Sequence, residues 1–258
     1  MGTAACGCPA EQISALNPPS LYELNIQAKT PMLLLVTDTS GKHGRVALAR
    51  AAEGAKPDQI HVIEEVPLAG GTFSAQLVPQ IAELLAKHRF NKTDIGAFIV
   101  VSGPGSFTGL RVGLAAIKAL AEILHKPIVP VSLLEVVAVA GAASGRVLAA
   151  LDAGRNEVYV GEYELSAGNA RLLNEQLLPV DEFFATARSA TVLTPDEHLV
   201  AKAVGANLSV TRIEVPGAAR VALVGWQKLQ AGISLTPDQL DANYIRRSDA
   251  EIFSKVKS

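Results

Sequence analysis

One stretch of the chain, residues 99–123, constrains the fold more than any other. Its sequence is IVVSGPGSFTGLRVGLAAIKALAEI. An apolar run ends at a Gly/Pro turn, and apolar residues then return with helical spacing at Leu110, Leu114 and Ile117. The pattern predicts a buried strand, a tight loop and an α-helix. Ser106 is the expected N-cap of this helix, because its hydroxyl can accept a hydrogen bond from a free backbone N–H group.

The loop between the predicted strand and helix contains two glycines, Gly103 and Gly105. Glycine lets the backbone approach a neighbouring group closely. A loop of this kind at a helix N-terminus either binds an anion such as phosphate or packs against another segment. The spacing of Gly103, Gly105 and Gly109 matches neither a P-loop nor the dinucleotide fingerprint G-x-G-x-x-G. Spacing alone leaves both interpretations open.

Two further glycines, Gly109 and Gly113, lie one turn apart inside the predicted helix, and Ala116 follows them. A glycine in a helix interior costs about 1 kcal/mol relative to alanine. Close approach of another backbone is the gain expected to offset this cost. The approaching segment belongs either to this chain or to a second protein. In the second case, Gly113→Leu is expected to block association.

The motif GPGSFTGLRVG, at residues 103–113, resembles the signature of the bacterial TsaB (YeaZ) family. Further similarities follow in chain order: DTS at 38–40, Ser74 with Pro79, VSLLE at 131–135, DAGRNEVY at 152–159 and YIRRSDAE at 244–251. The resemblance covers about residues 32–251. The family's His-Ser at the start of the preceding helix is replaced here by Phe73 and Ser74, so a role of that histidine is not implied.

A strand–Asp–turn–strand pattern occurs twice, with Asp38 and Asp152 at the strand ends. The repeat predicts an α/β fold of two duplicated halves. The resemblance implies ribonuclease-H-like halves of the actin/Hsp70/sugar-kinase (ASKHA) architecture. We expect an N-terminal half over residues 32–145, which carries the partner-binding helices, and a C-terminal half over residues 146–258. Residues 1–31 precede the resemblance and are expected to be a disordered extension.

The resemblance also implies a function. Proteins of this family are non-catalytic subunits of the bacterial complex that makes threonylcarbamoyladenosine next to the anticodon of tRNA. Such a subunit binds the threonylcarbamoyltransferase TsaD, helps to form the platform for the ATPase TsaE, contacts tRNA only indirectly, and forms a homodimer when alone.

The partner-binding residues carried over from the family lie on two helices of the N-terminal half. They are Ser74, Leu77, Ile81, Leu84, Gly109, Leu110, Gly113, Leu114, Ala116 and Ile117. The same positions also suit the chain's own core, and this alternative stays open.

The competing hypothesis is an ASKHA-type ATPase or phosphotransferase that uses Asp38 and Asp152. In ATP-using members of that architecture, carboxylates at the two hairpin mouths hold phosphate and a metal-bound water. The residues of a vestigial nucleotide site would be Asp38, Thr39, Gly103, Gly105 and Asp152. An aspartate at a strand end also commonly caps a turn through its own backbone, and that role is purely structural.

Composition excludes several other classes of protein. The net charge of −2 and the pI near 6.2 disfavour a stand-alone tRNA-binding module. The five histidines show no paired ligand spacing, so we expect neither a bound metal nor a cofactor. No apolar run approaches the roughly 20 residues needed to span a bilayer. Both cysteines, Cys6 and Cys8, lie near the N-terminus, which suits a cytoplasmic protein without disulfides.

Overall fold

The computed structural model describes residues 31–52, 59–141 and 144–245, and these residues belong to one compact unit. Of the predicted extension over residues 1–31, only Pro31 is described. The two cysteines and the end of the family motif, from Arg246 onward, also lie outside the described residues. No helix in the described part of the chain is long and apolar enough to cross a membrane.

The first five strands form one sheet, and this part of the chain also contains three helices. The elements are β1 (Met32–Asp38), β2 (His43–Ala51), β3 (His61–Ala69), α1 (Phe73–Lys87), β4 (Ile95–Gly103), α2 (Phe107–Leu124), β5 (Ile128–Ser132) and α3 (Leu133–Ala140). A short 3₁₀ turn, Lys92–Asp94, leads into β4.

A second sheet and three more helices follow. The elements are β6 (Gly145–Gly154), β7 (Glu157–Ser166), β8 (Asn169–Pro179), α4 (Val180–Thr186), β9 (Thr191–Thr194), α5 (Glu197–Gly205), β10 (Val210–Arg212) and α6 (Ala218–Gln230). A 3₁₀ turn, Ala187–Ser189, separates α4 from β9.

The two sheets have the same topology. The first has the order β3-β2-β1-β4-β5, and the second has the order β8-β7-β6-β9-β10. In each sheet the first three strands pair antiparallel, and the fourth and fifth pair parallel. This is the strand arrangement of a ribonuclease-H-like fold, and it occurs twice. The predicted fold class, two duplicated α/β halves, is confirmed.

Helices cover both faces of the first sheet because alternate side chains of β1 point to opposite sides. Leu33 and Leu35 pack in one core with α1 and α2, whereas Leu34 and Val36 pack in a second core with α3 and α6. The last helix of the described chain, α6, therefore lies against the first sheet and not the second. Its Gly225 brings the helix backbone close to the side chain of Ile99. The domain boundary near residue 145 stays a prediction.

The predicted strand, loop and helix are all present. The strand β4 ends at Gly103, α2 begins at Phe107, and the Ser106 hydroxyl accepts a hydrogen bond from Gly109 N at 3.3 Å, as expected of an N-cap.

The segment that approaches the helix glycines belongs to the same chain. A Cβ on Gly109 would overlap the carbonyl oxygen of Thr39, and a Cβ on Gly113 would overlap the Thr39 hydroxyl. Thr39 lies in the turn that joins β1 to β2 and is buried. Gly113→Leu would therefore disturb this internal contact, so it does not report on the binding of a partner.

Gly109→Ala should destabilise the protein, although alanine is normally the better helix former. The new methyl would meet backbone, which cannot rotate away, and overpacking of this kind costs about 1–3 kcal/mol. The matched control is Gly205→Ala at the end of α5, because nothing lies within 4 Å of its Cβ position. Urea unfolding should show a lower free energy of unfolding for Gly109→Ala and no loss for Gly205→Ala. Equal stability of all three proteins would contradict the close contact.

Candidate functional site

The helices α1 and α2 lie side by side on one face of the first sheet, and their inner sides form its core. Most of the residues predicted to bind a partner lie on these inner sides. The buried residues are Leu77, Ile81, Leu84, Gly109, Leu110, Gly113, Leu114 and Ile117. Only Ser74 is exposed, and Ala116 is half-buried. The structure thus places eight of these ten residues inside the molecule, and their contact with a partner stays a prediction.

The outer sides of the same two helices form a different surface, which we call the outer helical face. It consists of Ala75, Val78, Pro79 and Ala82 of α1 together with Ala115, Ala119 and Ile123 of α2. The side chain of Val78 is 50% exposed and that of Ile123 is 66% exposed. Our reading of the sequence missed this face because it followed only the strongest apolar stripe. The sequence feature that could have indicated this face is the recurrence of small and apolar residues at helical positions opposite the main apolar stripe.

A cleft of about 960 Å³ lies between the two halves. Its walls are the β1–β2 turn, the loop before α2, the β6–β7 turn and the C-terminal segment at residues 243–245. Two residues of the predicted vestigial site, Gly105 and Asp152, line it. The other three, Asp38, Thr39 and Gly103, are buried and are not among its lining residues.

Both predicted carboxylates cap turns. Asp38 Oδ1 accepts hydrogen bonds from the backbone N–H of Ser40 at 2.9 Å and from its hydroxyl at 2.5 Å. Asp38 Oδ2 lies 3.9 Å from Arg45 Nε. Asp152 Oδ1 likewise accepts from Gly154 N at 2.9 Å. In each case the carboxylate satisfies a backbone donor two residues further on, which is the structural role of an aspartate at a strand end.

A third carboxylate, Asp196, lies beside Asp152 at the cleft. Its Oδ2 accepts a hydrogen bond from Asp152 N at 2.7 Å. Burial raises the pKa of the Asp196 carboxyl above its ordinary value, and the negative charge of Asp152 adds to the shift. The hydrogen bond from Asp152 N and the nearby His198 oppose it. We did not expect Asp196 from the sequence, because the parallel pairing of β6 with β9 brings it here from a distant segment.

Two aromatic rings and a guanidinium group form one wall of the cleft. The ring centroids of Phe107 and Tyr244 are 5.0 Å apart, and the guanidinium of Arg111 lies 3.6 Å from the centroid of the Phe107 ring. Arg111 Nε also donates a hydrogen bond to the Tyr244 hydroxyl at 3.1 Å. These contacts hold the C-terminal segment against the first turns of α2.

A polar network centred on Glu175 connects the two halves beneath the cleft. Glu175 Oε1 accepts hydrogen bonds from the hydroxyls of Ser132 and Tyr163, and Oε2 accepts one from Asn243 Nδ2 at 2.7 Å. Asn243 N in turn donates to the carbonyl oxygen of Ser102 at 2.7 Å. The donors come from the first sheet, the second sheet and the C-terminal segment, so one carboxylate fixes all three relative to one another.

A half-buried ion pair lies next to this network. Lys228 Nζ of α6 is 2.7 Å from Glu135 Oε2 of α3. Burial raises the pKa of the Glu135 carboxyl, and the charge and hydrogen bond of Lys228 oppose that shift. Burial also raises the pKa of Tyr163 far above its ordinary value, with the negative charge of Glu175 adding to the effect. Tyr163 is therefore a neutral donor to Glu175.

Comparison with known proteins agrees with this architecture. Residues 67–203 match the family model described as TsaD, tRNA N6-adenosine threonylcarbamoyltransferase. A tRNA threonylcarbamoyladenosine biosynthesis protein TsaB from Bacillus subtilis is 32% identical over 149 residues, which are 57% of this chain and 60% of that protein. The protein of the same name from Haemophilus influenzae is 35% identical over 134 residues, 51% of this chain and 53% of its own. The chain thus matches between about half and three fifths of the length of these two relatives.

Solved structures show the same fold over a longer range. A crystal structure from Pseudomonas aeruginosa, described as an uncharacterized protein with similarity to peptidase YEAZ, superposes with a TM-score of 0.66 at 25% identity. It covers 83% of this chain and 100% of its own. YeaZ from P. aeruginosa superposes with a TM-score of 0.64 at 23% identity, covering 83% and 99%.

The duplicated ribonuclease-H-like halves with a cleft between them define a protein of the ASKHA architecture. The similarities in sequence and in structure narrow this class further. The chain belongs to the TsaB (YeaZ) family, within the wider group that the threonylcarbamoyltransferase model describes.

Tyr163→Phe should destabilise the protein, because it removes a buried hydrogen bond to the Glu175 carboxylate. Hydrogen bonds to charged groups contribute about 1.5–3 kcal/mol. Tyr244→Phe is the matched control: it removes a hydroxyl from a ring that is 37% exposed, so the expected change is below about 1 kcal/mol. Thermal or urea unfolding measures both. A Tyr163→Phe protein as stable as wild type would contradict the proposed importance of the network.

Asp152→Asn should lower the pKa of Asp196 but leave it above the ordinary value, because burial is the largest cause of the shift. Carbon-detected NMR titration of the carboxyl groups measures this directly. A raised pKa in the folded state also means that the free energy of unfolding falls as pH rises from the ordinary pKa to the raised one. Asp196→Asn should remove this part of the pH dependence. An Asp196 pKa below the ordinary value would show that the carboxyl is not desolvated.

Proposed function

We propose that this chain is a non-catalytic subunit of the bacterial complex that synthesises threonylcarbamoyladenosine in tRNA, and that it binds TsaD through the outer helical face. The observation that carries the proposal is an exposed apolar face on α1 and α2 in a member of the TsaB family. Apolar side chains such as Val78 and Ile123 gain free energy when a partner removes them from water.

The dimensions of the outer helical face suit a protein partner. At 1.5 Å per residue, α1 with 15 residues and α2 with 18 residues are about 22 and 27 Å long. Two such helices packed side by side present about 500 Å² of projected surface, a large part of the roughly 800 Å² that each partner buries in a standard interface. Alanines at 82, 115 and 119 leave room for a partner helix to approach closely.

The same face serves a homodimer when TsaD is absent, since an exposed apolar face is available for self-association. The homodimer and the complex with TsaD are then mutually exclusive. TsaE joins through the assembled pair. The acidic balance of the chain, with a net charge of −2, leaves most phosphate contacts with tRNA to other subunits.

The competing hypothesis of an ATPase or phosphotransferase requires Asp38 as a reacting carboxylate. The Asp38 carboxylate is buried, accepts two hydrogen bonds from Ser40 and faces Arg45. These contacts favour a turn cap over a ligand of phosphate or metal-bound water. We therefore prefer the non-catalytic role, and we expect the chain to act in the cytoplasm beside the tRNA-modifying enzyme.

Val78→Arg should weaken binding to TsaD by about tenfold or more, because it places a charge at the centre of the outer helical face. Val204→Arg is the matched control, since Val204 is 59% exposed on helix α5 of the second half. Both substitutions lie at exposed positions, so both variants should unfold like wild type. Isothermal titration calorimetry with the cognate TsaD measures the affinities, and light scattering measures the homodimer. If wild type does not bind TsaD at micromolar concentration, the proposed function is wrong.

If wild type and both variants bind TsaD equally, the complex is real but uses another surface. Weakening by Val78→Arg alone would assign the interface to the outer helical face. Loss of the homodimer in the same variant would show that both assemblies use that face.

A further inference from the structure

We infer that a pocket beside the outer helical face receives an acidic side chain of the partner protein. The inference rests on the proposed function and adds the chemistry of one contact. The pocket has a volume of about 500 Å³ and lies where the β1–β2 turn and the turn before α1 meet the first residues of α1 and α2. Its lining includes Lys42, His43, Phe73, Ser74, Thr108 and Val112.

The charge of the pocket favours an anion. The residues that line it include Lys42 and His43 but no aspartate or glutamate. Both of these side chains are exposed, and neither forms an ion pair with another residue of the described chain. A carboxylate that enters the pocket would therefore meet an unpaired cation rather than compete with one of the chain's own acids.

Close packing holds Lys42 at the rim of this pocket. A Cβ on Gly70 would overlap the carbonyl oxygen of Lys42, so this glycine lets the β1–β2 turn press against the turn before α1. Gly109 allows the same turn to contact α2 through Thr39. The backbone of the turn that carries Lys42 is thus packed in place before any partner binds, so binding has to order only the lysine side chain.

The lining of the pocket suits an acidic side chain of a protein better than a free anion. Phe73 is buried and Val112 is half-buried, so the lining combines apolar surface with the hydroxyls of Ser74 and Thr108. Aspartate and glutamate carry methylene groups that suit such a surface, whereas free phosphate does not. Ser74 and Val112 belong to α1 and α2, so a partner on the outer helical face also covers the pocket.

Three variants of the full chain test this inference with the cognate TsaD. Lys42→Glu should weaken binding by about tenfold, and Lys42→Arg should bind like wild type. Lys202→Glu, on α5 of the second half, is the control for a simple change in net charge and should also bind like wild type. Affinities are measured by calorimetry at low and at moderate salt, since the contribution of a partly exposed charge pair shrinks as salt rises.

A zero-length carbodiimide cross-link gives a readout of the contact itself, because it joins a lysine amine to a carboxyl group only when the two touch. Mass spectrometry of the wild-type complex should find Lys42 joined to an aspartate or glutamate of TsaD. Lys42→Arg should keep the affinity and lose this cross-link.

The outcomes separate this inference from the proposed function. If wild type binds TsaD, Lys42→Glu binds equally well and no Lys42 cross-link forms, the pocket inference is overturned and the proposed function stands. If wild type does not bind TsaD, the proposed function fails and the inference fails with it. NMR titration of the isolated chain with inorganic phosphate is the third arm. Phosphate binding at Lys42, together with an unchanged affinity of Lys42→Glu for TsaD, would assign the pocket to a free anion and overturn the inference.

Discussion

The contact between Thr39 and the two glycines of α2 is the constraint on which most of the described structure depends. Gly109 and Gly113 have no side chain, so the β1–β2 turn can lie directly on the helix. Within this turn Asp38 accepts a hydrogen bond from Ser40 N, and the next part of the turn places Lys42 at the smaller pocket. The loop before α2 contacts the same turn, since Ser106 N donates a hydrogen bond to the carbonyl oxygen of Ser40 at 2.6 Å. The cleft and the smaller pocket both lie beside this contact and share Gly41, Lys42 and Ser106 as lining residues.

Because the inner side of α2 is occupied by this turn and by the core, only its outer side is available to another protein. The same holds for α1, whose apolar stripe packs into the first core. Each helix therefore has two apolar surfaces, one buried in the core and one exposed. The inner stripe stabilises the fold, and the outer helical face leaves apolar side chains such as Val78 and Ile123 exposed without contributing to the core.

The second half and the C-terminal segment contribute to the same region through polar contacts. Glu175 joins both sheets to Asn243, and the contact between the tilted rings of Phe107 and Tyr244 holds the neighbouring residue of that segment. The helix α6 packs on the first sheet although it follows the second in the sequence. The two sheets consequently belong to one compact unit. A polar network that is fully hydrogen-bonded specifies one arrangement of its members, which suits a role in fixing the width of the cleft.

The sequence by itself determined the local structure and the repeat. Apolar spacing predicted the β4–α2 unit with Ser106 as its cap, and the paired strand–Asp–turn patterns predicted two similar halves, because these signals involve residues close together in the chain. Only the tertiary structure decided what the helix glycines contact and which helical face is exposed. Small residues permit a close approach from either an internal or an external segment, and helical periodicity does not distinguish the two. Asp196 and Glu175 could not be predicted as parts of a site. Asp196 reaches Asp152 only through the pairing of β6 with β9, and Glu175 contacts Asn243, which lies 68 residues further along the chain.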